Sequence, residues 1–485
     1  MNELALKLNL SENKGKLALI DIGSNSIRLV IYHQNGKYPF PLFNERINCR
    51  LGEGLSLNGK ISSQSMSRAF SALQRFAFII KTMSVKTQII VATAAARNSS
   101  NSKEFILPAE KILSHKIRIL SSKEEARYAS LGVVSNMKIN NGLVADLGGG
   151  SLELVLIKNG KNINSTSLNI GHLSNCTEGD IKNNLKKVKW LSNAKDTTLY
   201  GTGGSFRALG SAYIKKYNYP LTLLHGLTFK KEKAIILLDN ISESKENFLG
   251  IPSSRTRTIS KAAEIMINLI LHSEIKDVMI SGTSIRDGLI TELNSEKRVN
   301  PDKFAYYKVL AKNQRFNGMQ SKIKKIFKPI FKKIANQDLE RIFKISTNLS
   351  DISWDEQPDL RGYIAANKIL SLPLRDLTHI ERIWIAKVIY HRYVGLKDKQ
   401  AIENSIINLL SEDLKKTSYS IGLGLRFIYI FSAGFPKNLD YIKFKIKKNT
   451  LICKINAFGR VLMDKENERR LKNFANACNL NYEII

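Results

Sequence analysis

Residues 142–161, GLVADLGGGSLELVLIKNGK, read as strand, glycine turn, strand, and residues 18–37, ALIDIGSNSIRLVIYHQNGK, repeat that pattern. Asp21 aligns with Asp146, Gly23 with Gly148, Ser26 with Ser151 and Leu29-Val30 with Leu154-Val155, at a constant offset of 125 residues with one gap before the closing Asn-Gly-Lys. Apolar, β-branched runs on either side of a glycine turn are a hairpin signal. A duplicated α/β unit with its turn in the same place predicts two similar lobes around a cleft. Glycine lets the backbone come close to an oxygen, and successive N–H groups in such a turn form an anion-binding nest. Ser24, Asn25, Ser26 and Ser151 add side-chain donors beside Gly148, Gly149 and Gly150. One such turn alone is as readily an ordinary hairpin. Two, each with an Asp two residues ahead of the glycine, predict turns that face each other and hold adjacent phosphates.

The rest of the chain fits that frame. A third strand is expected around 42–50, then a helix on the spacing of Ala69, Phe70, Leu73, Phe76, Ala77 and Ile80. Strands follow at 88–93 and 117–120. A helix opens at Ser121 or Ser122, with Glu124 or Glu125 three residues on as a capping box. After the second hairpin come TLYGTGGSFRALG (198–210), helical stretches through about 229–272 and a strand at 278–281. Past residue 300 the pattern changes. Ile323, Ile326, Phe327, Ile330, Phe331 and Ile334 make an amphipathic helix despite Pro329, and 363–411 read as largely helical. YIKFKIKK alternates apolar residues with lysine, and LICKI follows after Lys448-Asn449, a hairpin with a cationic face. The expected domains are 1–135 (first lobe), 136–299 (second lobe), 300–438 (helical) and 439–485 (a small α+β cap).

Lys and Arg number 75 against 42 acidic residues, a formal charge of +33 that attracts polyanions. A genome biased toward Lys, Ile and Asn codons would give the same excess, and charge alone does not set the fold. Cys49, Cys176, Cys453 and Cys478 stand far apart, without the spacing of a zinc knuckle or a disulfide framework. No apolar run approaches the roughly 18 residues that span a bilayer, and the first residues hold no signal-peptide core. The expectation is a cytoplasmic protein without a membrane span.

Asp146 and Glu153 lie at opposite ends of the second turn. Carboxylates beside bound phosphate need a cation between them, and Mg²⁺ accepts one or two carboxylates together with phosphate oxygens. The alternative is a solvated Glu153 and an Asp146 that caps its own turn.

The segments ALIDIGSNSIRLVIY, VATAAAR, EEARYASLGV, LVADLGGGSLELV, GTGGSFRALG and SGTSIRDGL occur in order over residues 18–290. Together they resemble the exopolyphosphatase / guanosine pentaphosphate phosphatase family, of the actin-like, sugar-kinase-like ATPase superfamily. The resemblance implies an α/β fold: two duplicated actin-like (ribonuclease H-like) lobes around a cleft, then a mainly helical C-terminal domain and a small β-containing cap. It implies Glu125 as catalytic base, Arg97 as a phosphate-binding arginine, and Asp146, Gly148, Ser151 and Glu153 as the second phosphate loop with its metal-binding carboxylates. Asp21 to Ser26 match the first loop, and Gly203-Gly204 the loop on the far side of the cleft. Ser122 replaces the family's glycine, Arg257 an expected Asp, Ala262 a Gly and Asp287 the usual Glu. Larger relatives resemble a metal-dependent HD phosphohydrolase in their helical part. Here His379 and His391 lie there without a His-Asp pair, so no second metal site is expected.

The implied reaction is Mg²⁺-assisted attack of water on the terminal phosphorus of inorganic polyphosphate. Lys-rich helix 321–334 and strand 441–448 are candidates to line a polymer channel, or are simply solvated faces. The alternative is 5′-phosphate removal from guanosine pentaphosphate. Behind both stand an ATPase or kinase of the same fold and a catalytically inactive polyanion-binding protein. The expected assembly is a homodimer with no obligatory nucleic-acid partner.

Overall fold

A computed structural model describes residues 15–33, 39–53, 55–244, 248–296, 307, 315, 318–334, 336–374, 376–396 and 402–485. The chain divides into two compact units, Met1–Pro301 and Asp302–Ile485.

The first unit holds two sheets built on one plan. Strands β1 (Lys16–Ile22), β2 (Ile27–His33) and β3 (Phe40–Ile47) form an antiparallel meander. Helix α1 (Ser63–Thr82) leads to β4 (Thr87–Ala92), which pairs parallel to β1. Short α2 (Ala94–Asn98) and α3 (Ser102–Leu113) precede β5 (Arg118–Ile119), giving the order β3-β2-β1-β4-β5. Helix α4 (Ser122–Asn136) then crosses to the second sheet. There β6 (Gly142–Leu147), β7 (Leu152–Lys158) and β8 (Lys161–Leu168) repeat the meander. Helix α5 (Glu178–Lys186) and a 3₁₀ segment precede β9 (Thr198–Thr202), which pairs parallel to β6. After α6 (Gly203–Lys216) come β10 (Thr228–Lys230), α7 (Lys231–Glu243), α8 (Thr256–Ser273), β11 (Asp277–Ile280) and α9 (Ile285–Glu296). The order β10-β11-β9-β6-β7-β8 repeats the first sheet's plan, with β6 standing where β1 stands. The duplication read from the two glycine turns is thus a duplication of topology.

The strands are apolar on both faces because both faces are covered. Along β1, Ala18, Ile20 and Ile22 join the core with α1 and α3, while Leu17 and Leu19 meet Tyr128 and Ala129 of α4 and Leu289 and Ile290 of α9. Along β6, Leu143, Ala145 and Leu147 enter the core of the second lobe, and Val144 faces Ala126 and Val133 of α4. The period of two therefore points Asp21 and Asp146 toward the side that α4 covers on each sheet. One helix lies against the inward faces of both sheets, and its first turn carries Glu125.

In the second unit α10 (Met319–Ile334), α11 (Gln337–Leu349), α12 (Arg361–Ser371), α13 (His379–Val394) and α14 (Glu412–Phe431) precede β12 (Ile442–Lys447), β13 (Thr450–Ile455), α15 (Lys465–Ala477) and β14 (Asn481–Ile484). Pro329 sits inside α10 without ending it. Phe327 of α10 meets Phe343, Phe444 and Phe474, so helices and sheet share one core. Asp351, 3% exposed, accepts from both Arg315 and Arg392, the pairing that a buried carboxylate requires. His391 lies 3.0 Å from the Gly395 carbonyl oxygen through Nδ1. Among the described residues no helix is long and apolar enough to cross a membrane.

Candidate active site

The two glycine turns close in the same way. Gly23 N–H donates to the Ser26 carbonyl at 3.1 Å, and Gly148 N–H to the Ser151 carbonyl at 2.9 Å. They also meet: a Cβ built on Gly149 would stand 3.4 Å from Cβ of Ser24. The first turn is tied to the chain beyond β3, where Gly52 N–H donates to Ser24 O and Arg50 N–H to Asn25 O. The second is latched by Leu173 N–H to Gly149 O (2.7 Å) and His172 N–H to Gly148 O (3.1 Å). Gly171 makes the latch possible, since a Cβ there would lie 2.1 Å from Gly149 O.

Both turns line one cavity of about 180 Å³. Ser24, Asn25, Ser26, Gly148, Gly149, Gly150, Ser151, Gly203 and Gly204 all contribute to its wall, together with Asp21, Glu125 and Asp146. Glu125 lies in the first turn of α4, set by the capping box between Ser121 and Glu124. Its Oε2 accepts from Arg97 Nη1 at 2.9 Å. Burial is the main force on its carboxyl, with Asp146 and Asp21 adding to it and Arg97 opposing; the pKa is pushed up to about 7. Burial likewise raises Asp146 to about 6. Glu153, directly opposite Asp146 in the β6–β7 register, is raised to about 8 by burial and by the charges of Glu125 and Asp146.

Arg97, expected as a phosphate ligand, stands against Glu125. It is not part of the cavity wall. Short α2 turns its guanidinium onto Glu125 and the Leu120 carbonyl, and Nη1 donates to both. Glu153 also stands behind the wall, 3% exposed, accepting from the hydroxyls of Ser151 and Ser167. Ser151 therefore spends its proton on Glu153. Gly203 and Gly204 clear space as well as line the wall: a Cβ on Gly203 would meet Asp146 Oδ1 at 2.2 Å, and one on Gly204 would meet Arg255 Nη2 at 1.7 Å.

The oxygen donors of this region suit a hard cation, and burial is the first cause of the raised carboxyls of Glu125, Asp146 and Glu153. Asp146 faces the cavity together with Asp21 and Glu125, and Glu153 stands behind Asp146. No group of three or more His, Cys, Asp or Glu able to hold a metal by itself occurs among the described residues.

The residues missed by sequence reasoning are mostly cationic. Arg28, Arg46, Arg207, Arg255 and Arg286 all line the cavity, as does His172. Arg286 pairs with Asp21 at 2.6 Å, and Arg255 donates to Ser205 Oγ at 3.3 Å. Burial lowers Arg207 and Arg255 to about 10 and His172 to about 4, so His172 is neutral at physiological pH. Arg28, Arg207 and Arg286 sit inside the recognised segments and could have been read from them. Arg46 lies outside every one.

Comparison with known proteins gives two family matches. Residues 29–297 match the Ppx/GppA phosphatase family, and residues 329–485 match the exopolyphosphatase C-terminal family. A curated guanosine-5'-triphosphate,3'-diphosphate pyrophosphatase of Pseudoalteromonas translucida is 28% identical over 316 residues, 59% of this chain and 61% of that protein. The same-named protein of Vibrio cholerae (strain O395) is 26% identical over 300 residues, 58% and 60% of the two chains. The chain thus spans about three fifths of the length of these relatives. Among solved structures, an exopolyphosphatase from Cytophaga hutchinsonii superposes with a TM-score of 0.53 at 20% identity, over 58% of this chain and 98% of that one. An exopolyphosphatase-like protein gives 0.51 at 21% identity, over 59% and 99%. Both share the fold.

Proposed function

The chain belongs to the Ppx/GppA phosphatase family, and from that premise we propose that it is a phosphoanhydride hydrolase releasing terminal orthophosphate from inorganic polyphosphate. The observation that carries this reading is Glu125: a carboxyl raised to about 7, fixed by Arg97, on the wall of the cavity that both glycine turns line. A group of that pKa is a competent base near neutrality.

The terminal phosphoryl group lies between the turns, whose N–H groups meet its oxygens. Glu125 orients a water molecule and takes one of its protons as the new P–O bond forms. The bridging P–O bond breaks, and its electron pair leaves on the shortened chain. Arg207, Arg255 and Arg286 balance charge that spreads over the transferring group. Mg²⁺ at Asp146, with Glu153 behind it, would supply Lewis-acid neutralisation of the phosphate oxygens.

One observation favours polyphosphate: the match of residues 329–485 to the exopolyphosphatase C-terminal family. The names of the curated relatives favour a second reading, removal of the 5′ γ-phosphate from guanosine pentaphosphate. Phosphate release from each substrate, alone and in competition, with and without Mg²⁺, separates them. Glu125→Gln keeps the shape and removes the base. Turnover should fall about 10²- to 10⁴-fold with polyphosphate still bound; undiminished turnover would end the assignment of the base.

A further inference from the structure

Arg28 and Arg46 stand directly opposite each other on β2 and β3. Asp21 is the next residue in that row, opposite Arg28 on β1. Its carboxylate is engaged by Arg286, which comes from α9. The Nε of Arg28 is buried with no hydrogen-bond partner. Arg46 is exposed, and its Nε donates to Ser26 Oγ at 2.9 Å. That bond uses a lone pair of the hydroxyl and leaves its proton free for an anion. Like charges placed opposite each other on a sheet are unfavourable. This pair lines a cavity to which the second lobe adds Arg207 and Arg255. The cavity wall sets five arginines, Arg28, Arg46, Arg207, Arg255 and Arg286, against three carboxylates, Asp21, Glu125 and Asp146, an excess of cationic charge that suits a polyanion.

We propose that Arg46, with Arg28 beside it, is a specificity-determining residue that binds the phosphates following the reacting one where the substrate leaves the cleft, so that the site selects a run of contiguous phosphates over a single phosphate. This rests on the hydrolase reading for its meaning, but not for its test. Arg46 is exposed, so the positively charged position is open to solvent and an entering chain can reach it without unfolding anything. A guanidinium matches two oxygens of adjacent phosphates with its planar fork, which an ammonium does not.

The test is calorimetric titration of the full chain with inorganic tripolyphosphate and with orthophosphate, in the Glu125→Gln background to prevent turnover. Arg46→Gln should weaken tripolyphosphate about tenfold, the size of one charge-assisted contact. Orthophosphate affinity should change less than twofold, and Arg46→Lys should fall between wild type and Arg46→Gln for tripolyphosphate. Removing one of two opposed like charges should leave the melting temperature without ligand no lower than before. Equal tripolyphosphate affinity in Arg46→Gln, or an equal loss for both ligands, would overturn the proposal. A guanosine pentaphosphate arm fixes the source: a loss larger than that for tripolyphosphate would overturn the inorganic chain as the ligand. If the protein binds tripolyphosphate through Arg46 yet releases phosphate from no substrate, the hydrolase reading falls and this one stands.

Discussion

Neighbouring glutamates at the start of α4 meet opposite electrostatic fates. Glu124 accepts from the Ser121 backbone and hydroxyl and from Arg118, which hold its carboxyl down at about 2. Glu125, one residue on, turns inward and is driven up to about 7. The sequence shows a capping box and two acids; which acid caps and which faces the cavity follows from the helical rotation of 100° per residue, which sends one out and one in. The glycines of the far loop carry a similar lesson. Gly204 was legible as part of a phosphate loop, yet its tightest constraint is the guanidinium of Arg255. A methyl group at 204 must displace the end of that side chain, which is flexible, so the fold should survive. We predict that Gly204→Ala changes unfolding free energy by less than about 0.5 kcal/mol, the range of substitutions that leave the core intact, while raising KM for polyphosphate severalfold. Steady-state kinetics beside a urea titration checks this; an unchanged KM would remove Arg255 from substrate binding.

Among the elements, the contact that decides site geometry is α4 against α9. These helices bring Glu125 and Arg286 to the cavity from the strands they cover. They come close because each presents a glycine: a Cβ on Gly288 would stand 2.0 Å from the Tyr128 carbonyl oxygen, and one on Gly132 would stand 2.6 Å from Ser284 O. Beside them Glu292 accepts from Arg127 and Tyr128, both at 2.5 Å. Two effects compete in Gly288→Ala. Helix propensity favours alanine by about 1 kcal/mol, and overpacking costs about 1–3 kcal/mol. The obstructing atom is backbone and cannot swing away, so the clash wins. The variant should lose up to about 2 kcal/mol of stability by that balance, and turnover should fall more than tenfold as α9 shifts. A stabilised variant of full activity would show that the helices have slack. The strands, helices and hairpins of this unit were largely legible, because period-two and helical patterns are local. The α4–α9 contact was not, since nothing in SLGV or RDGL says which glycine faces which carbonyl. Arg46 was illegible for the same reason: its place depends on the β2–β3 register, which no motif records.

At the scale of the whole first unit, stability and function pull on the same carboxylates. Glu125, Asp146 and Glu153 have folded-state pKa values of about 7, 6 and 8, above their ordinary 4.5, 3.8 and 4.5. A raised value means the folded protein holds protons that the unfolded chain has released. The stabilising contribution is therefore complete below about pH 4. It is lost as pH climbs through the folded values, between about 6 and 8. In chelator-treated protein these groups should lower the melting temperature steadily over that window. Activity should move the other way, rising with pH as Glu125 loses its proton. A divalent cation at Asp146 favours the ionised carboxylates, so Mg²⁺ should raise the melting temperature more at pH 8 than at pH 5. Glu153→Gln removes one of the interacting charges, and should flatten the alkaline decline and shrink the Mg²⁺ effect. Thermal melts of both proteins across pH, with chelator or Mg²⁺, measure all of this without any substrate. A melting temperature rising from pH 6 to 8 in chelator, with Glu153→Gln following the same curve, would mean that the carboxylates are already neutralised by the arginines around them and that the cavity has no electrostatic need for a metal.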